Sequence, residues 1–225
     1  MTTRNARAPS RSYGGVSAAD RVGARRQKLL DAALELYGTR GFTATGVKDI
    51  CRQAGLTDRY FYESFADAGE LFVATYDRTT GELLELVAAS VAAVPPEPEP
   101  QVRAAIETFI RALADDPRKA RVLFAETASA GAEAERHVRT SLRRFADLVA
   151  ATARPYIRPT TPERLIRMGA LSLVGAIERV IVDWHDGNLE ATVDEIVHYL
   201  VQLFLAAGAT AGVNPRRSTR ASASR

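Results

Sequence analysis

Apolar residues recur along most of this chain at three- and four-residue intervals, the spacing that builds one face of an α-helix. Over residues 25–38, Leu29, Ala33, Leu36 and Tyr37 share a face, and glycines at 38 and 41 stop the helix. Val47, Ile50, Cys51 and Ala54 then follow at i, i+3, i+4 and i+7, a short second helix that Thr45 is placed to cap. Gly55 ends it, because glycine accepts the left-handed conformation common at helix C-termini. Thr57 caps a third short helix over 58–64, with Phe61 and Phe65 turned inward. A fourth helix is predicted over 70–94, and the prolines at 95, 96, 98 and 100 make a stiff, extended linker. Further helices are predicted at 101–114, 118–128, 132–154, 163–185 and 190–207. No strand-like alternation bounded by tight turns occurs, so the fold class is all-α, with about nine helices.

Two short helices joined by a glycine-containing turn fit the helix-turn-helix pattern, whose second helix enters the major groove of DNA. The residues narrow this further. Leu29-Leu-Asp-Ala-Ala-Leu-Glu-Leu-Tyr37, Gly41-Phe-Thr-Ala-Thr45, Asp49-Ile50, Gln53-Ala-Gly-Leu-Thr57, Tyr60-Phe-Tyr62 and Phe65 closely resemble, in order and spacing, the N-terminal signature of the TetR family of transcriptional regulators. The resemblance implies a DNA-binding domain over 23–69 and a helical ligand-binding and dimerisation domain over 70–207. A basic, disordered arm (1–22) and a disordered Arg/Ser/Ala-rich tail (208–225) flank them.

It also implies roles. Thr45 and Lys48 would contact backbone phosphate, Asp58, Arg59 and Tyr60 would face the groove, and Thr57, the cap of their helix, belongs with the DNA-binding residues. Arg59 is the base reader, since a guanidinium pairs with O6 and N7 of guanine. Tyr62 would touch phosphate. Family members usually carry a lysine just before the fourth helix; Ala68 stands there, beside Asp67. Arg25, Arg26 or the arm would compensate for the missing contact.

Charge supports a polyanionic partner locally and not globally. The net charge is only +3, yet residues 1–28 hold seven cations against the single acid Asp20. One cysteine, Cys51, excludes an internal disulfide, and no run is long and apolar enough for a membrane span, so the chain reads as cytoplasmic. Cys51 sits on an apolar helix face and reads as packing, not as a redox sensor.

The helices over 163–185 and 190–207 are apolar around most of their surface, which suits burial against a second copy in a homodimer. A site for a small apolar or amphipathic effector is expected between the C-terminal helices. Its candidate lining is Phe109, Leu113, Phe124, Thr127, Phe145, Val149, Met168, Leu171 and Leu173, with Arg121, Glu126 and Glu178 as polar selectors. No nucleophile elbow, phosphate loop, dinucleotide fingerprint or zinc motif is present, and His137, His185 and His198 follow no ligand spacing, so neither catalysis nor a cofactor or metal is expected. The expected function is a ligand-released repressor on a palindromic operator of double-stranded DNA. The alternatives are a DNA-binding regulator controlled by a protein partner, and a helical interaction module or enzyme that does not use the motif.

Overall fold

The computed structural model describes residues 17–127 and 129–210, and these contain helices and turns with no strand. Most of the arm and the tail anticipated from composition lie outside the described residues. The first helix, α1 (Ala18–Thr39), starts earlier than periodicity indicates. Ser17 Oγ accepts from Asp20 N–H and Asp20 carboxylate accepts from Ser17 N–H, both at 3.0 Å, a capping box that carries the helix into the expected arm.

Two short helices follow, α2 (Val47–Ala54) and α3 (Asp58–Tyr62). Gly55 between them has φ +65°, a conformation costly for any residue with a Cβ, and this fixes the angle of the pair. Helix α4 (Ala68–Ala92) leads into the remainder of the chain. Its N-cap is Asp67, whose carboxylate accepts Glu70 N–H at 2.8 Å.

The proline-rich stretch is shorter as a linker than expected. Helix α5 (Pro98–Asp115) takes Pro98 and Pro100 into its first turn, where backbone N–H groups have no intrahelical acceptor and proline forfeits nothing. Next, α6 (Pro117–Ala120) runs straight into a π-turn over Arg121–Ala125. Helices α7 (Ala132–Ala153), α8 (Glu163–His185) and α9 (Val193–Thr210) complete the described chain.

One core runs through the molecule. Leu29, Leu36, Tyr37, Ile50, Phe61, Phe65 and Phe72 fill the N-terminal end, and Ile106, Ile110, Leu113, Ile181 and Leu200 continue it among the later helices. Tyr37, Phe42 and Phe72 pack ring against ring at 5.3–5.6 Å between α1, its following loop and α4. Helix α5 lies against α4 and α9, α7 against α4 and α8, and α6 against α1. Gly38 makes that last contact possible: a Cβ there would meet Arg118 Cβ at 2.4 Å and its Cα at 2.7 Å.

A helix-turn-helix face and an apolar cavity

Helix α3 has one buried side, made by Phe61 and by Phe65 just beyond it, and a second side open to solvent. On the open side stand Thr57, Asp58, Arg59 and Tyr62, with Arg59 83% exposed along its side chain and Tyr62 61% exposed. Arg59 Nε donates to Glu63 at 2.9 Å, so the base-reading candidate rests on an acid from its own helix. Lys48 is exposed at the start of α2.

Three expectations shift. Thr45 does not cap α2; Gly46 does. Thr45 is only 6% exposed, and its hydroxyl donates 2.7 Å back to Gly41 C=O, so the side chain that was expected on phosphate is turned inward. Tyr60, expected on the surface, is half-buried under the Arg25 guanidinium, 4.5 Å above its ring. Arg25 also reaches Glu63 at 3.8 Å. Arg26 donates to Ser64 C=O at 3.1 Å and stacks 4.2 Å over Phe65. The two arginines expected to replace the missing lysine therefore brace α3 against α1.

Cys51 is buried beside Asp58; burial, then the nearby carboxylate, push its thiol up to about 11. The reactive thiolate is scarce at neutral pH. Native protein should consequently resist iodoacetamide at pH 8, whereas denatured protein should gain one adduct by mass spectrometry; rapid labelling of the native form would show the thiol to be accessible.

The other feature is a cavity of about 210 Å³, partly open to solvent, lined by α4, α5, the π-turn, α7, α8 and α9. Along α4 its lining extends from Tyr76 to Val91, about 22 Å at 1.5 Å per residue. Of the candidates drawn from sequence, Phe109, Phe124, Phe145, Val149, Leu173 and Glu178 line it. Phe109 and Phe145 meet edge to face across it at 5.3 Å.

The other candidates lie elsewhere. Leu113 is buried in the core past the cavity's end, Thr127 lies in the turn after the π-turn, and Met168 and Leu171 point outward from α8. Arg121 and Glu126 face the N-terminal helices. Glu126 accepts Phe42 N–H at 2.7 Å and Arg121 Nε at 2.9 Å, while Arg121 donates to Thr39 C=O at 2.8 Å. Nearby, Arg118 pairs with Glu35 at 2.5 Å. Leu123 and Phe124, between these residues in sequence, line the cavity. The π-turn thus touches the cavity with one side and the α1–α2 loop with the other. Sequence reasoning missed this because the partners of Arg121 and Glu126 lie more than eighty residues away.

Among the described residues no group of three or more His, Cys, Asp or Glu side chains could hold a metal ion, and no helix is long and apolar enough to cross a membrane.

A family model described as bacterial regulatory proteins, tetR family, matches residues 29–75, the whole of α2 and α3 with their supports. The chain is 29% identical over 124 residues to the HTH-type transcriptional activator FasR of Mycolicibacterium smegmatis; the match covers 54% of this chain and 56% of that protein. A TetR-like transcriptional regulator from a Rhodococcus species superposes with TM-score 0.63 at 26% identity, covering 82% of this chain and 96% of the other. FadR of Bacillus subtilis, solved in complex with stearoyl-CoA, shares the fold at TM-score 0.68 and 16% identity, covering 80% and 98%.

Proposed function

The chain belongs to the tetR family of bacterial regulatory proteins, and from that premise we propose that it is a homodimeric, effector-released DNA-binding regulator. The observation that carries this is the exposed edge of α3, with Arg59 and Tyr62 in solvent over a phenylalanine-packed back. Lys48 adds a phosphate contact at the start of α2. Acting on chromosomal DNA, the protein works in the cytoplasm.

One short recognition helix reads few bases, and a twofold molecule doubles the site. The dimer face proposed is that of α8 and α9. Their buried sides carry Ile166, Ala170, Val174 and Ile181, and Val197, Leu200 and Phe204; Met168 and Leu171 of α8 and Tyr199 of α9 remain 41–61% exposed. These large apolar side chains gain a partner when the same face of a second copy covers them.

The effector occupies the cavity. Its lining is aliphatic and aromatic over most of its length, which suits a ligand with an extended hydrocarbon part. That reading is supported, as fold analogy, by the stearoyl-CoA in the Bacillus subtilis relative. Filling the cavity presses on Leu123 and Phe124, and the π-turn passes the displacement through Glu126 and Arg121 to the loop that sets α2. A hundredfold loss of operator affinity requires about 2.7 kcal/mol of such coupling. Whether release raises or lowers transcription depends on where the operator lies; an operator overlapping a promoter makes the protein a repressor. The activator name of the Mycolicibacterium relative favours a second reading, with the operator upstream. A promoter fusion compared in the presence and absence of the gene distinguishes the two.

Fluorescence anisotropy with operator and scrambled duplexes tests the assignment of roles. Arg59→Ala should weaken operator binding by about 1–3 kcal/mol and narrow the gap to scrambled DNA. Lys48→Ala should weaken both duplexes alike and lower the salt slope by about one. Equal losses on both duplexes for Arg59→Ala would remove its base-reading role.

A further inference from the structure

The polar groups of the cavity are distributed unevenly. At the end near α5's start, Tyr156 hydroxyl donates to Gln101 Oε1 at 3.0 Å, so those two satisfy each other. At the opposite end, nearest the π-turn, stand Tyr76 and Thr80 of α4, Ser141 of α7 and Glu178 of α8. Thr80 is 1% exposed and Ser141 2%; neither hydroxyl makes a hydrogen bond of good geometry, and the polar neighbour both share is the Tyr76 hydroxyl. Their neighbours on α4 behave differently. Thr75 Oγ1 donates to Leu71 C=O at 2.8 Å and Thr79 Oγ1 to Thr75 C=O at 2.9 Å, the usual way a helix absorbs a buried hydroxyl. Two buried hydroxyls on facing helices, neither absorbed by its own backbone and sharing the Tyr76 hydroxyl as a neighbour, leave hydrogen-bonding capacity open toward the cavity, since buried polar groups are nearly always paired.

We propose that Thr80 and Ser141 anchor an uncharged polar group of the effector, a carbonyl or hydroxyl oxygen, with its hydrocarbon body running along α4 toward Tyr156. This rests on the effector-binding reading of the cavity and specifies its ligand. Charge decides the class. Among the described residues no Lys, Arg or His lines the cavity, and Glu178 lies close to Tyr76, which itself neighbours Thr80 and Ser141. A free carboxylate at this end would lose its hydration, gain no cation and face an acid. A neutral oxygen accepts from both hydroxyls without that cost. Esters, thioesters, ketones and alcohols of long chains qualify, and free fatty acids do not. The polar group then sits beside Phe124, so the recognised end of the ligand is also the end that touches the π-turn.

Isothermal titration of the full chain with four twelve-carbon probes tests this: methyl dodecanoate, 1-dodecanol, dodecanoate and dodecane at pH 7. The ester and the alcohol should bind at least about tenfold tighter than dodecanoate. Thr80→Val and Ser141→Ala should each weaken the ester and alcohol by about tenfold and leave dodecane unchanged, a split that a purely structural role would not produce. The melting temperature of unliganded Thr80→Val should stay level or rise, because a buried hydroxyl without a hydrogen bond of good geometry has been removed. Dodecanoate binding as tightly as the ester, or variants that weaken all four probes equally, would overturn the anchor while leaving the effector-binding reading intact. Binding of none of the four by protein that still binds its operator would overturn both.

Discussion

Met168→Asp is expected to split the dimer and, with it, to weaken operator binding by about 10²–10⁴-fold, the range over which linking two binding modules raises avidity. Met168 is 61% exposed on the outward side of α8, with Leu171, 41% exposed, next along it. In the isolated chain an aspartate there is solvated and leaves the core untouched. In the proposed α8–α9 dimer face each copy would bury an added carboxylate among apolar side chains with no cation beside it, which is strongly unfavourable. Light scattering should give a monomer mass with unchanged helical circular dichroism. Each monomer retains α3, so residual, half-site binding should survive at low salt. A variant that remains dimeric and binds DNA normally would place the interface elsewhere.

Glu126→Ala is expected to have the largest effect of any single change between the two parts of the molecule. It leaves Phe42 N–H without its acceptor and Arg121 without its carboxylate. Burial of the Glu126 side chain argues for a large penalty, and the partial exposure of Arg121 argues for discounting it. About 2–3 kcal/mol remains, or a melting temperature lower by about 4–12 °C for a chain of this size. The more specific consequence is local. Hydrogen exchange at the Phe42 amide and through the α1–α2 loop should accelerate far more than in α8 or α9. If the cavity signals through the π-turn, the variant should bind its operator but respond weakly to methyl dodecanoate. Glu126→Gln, which keeps an acceptor for Phe42 while losing the charge, should fall between. Full effector response in Glu126→Ala would send the signal through α4 instead.

The helical architecture was legible because its determinants are local. Leu29, Ala33, Leu36 and Tyr37 declare a helix face by spacing alone, Gly55 declares the turn by its missing Cβ, and Phe61 and Phe65 declare the back of α3. Boundaries were harder to read. The Ser17–Asp20 cap uses aspartate where glutamate or glutamine is the stronger signal, and only Val22 among the residues it adds is large and apolar. Pro98 and Pro100 look like helix breakers in sequence and act as helix starters in place.

Among the site residues, the outward placement of Arg59 and Tyr62 on a short helix was legible from spacing. Residues whose partners are remote in sequence were not legible. Thr45 presents as a helix cap until its hydroxyl is seen on Gly41, and Arg121 and Glu126 present as ligand selectors until they are seen on Thr39 and Phe42. Met168 and Leu171 follow the same logic in reverse: an apolar stripe says that something covers it, and only the fold says on which side of the chain the cover must come. Thr80 and Ser141 carried no signal at all, because a helix normally absorbs such hydroxyls.

Selection of bound duplexes from a random-sequence DNA pool, run with the intact protein and with Arg59→Ala, tests the central claim most directly. The account predicts an inverted repeat whose half-sites are one helical turn, about 34–36 Å, or a multiple of it apart, with a guanine in each half that Arg59→Ala no longer enriches. Enrichment of no sequence, or of a single unrepeated motif indifferent to Arg59, would contradict it.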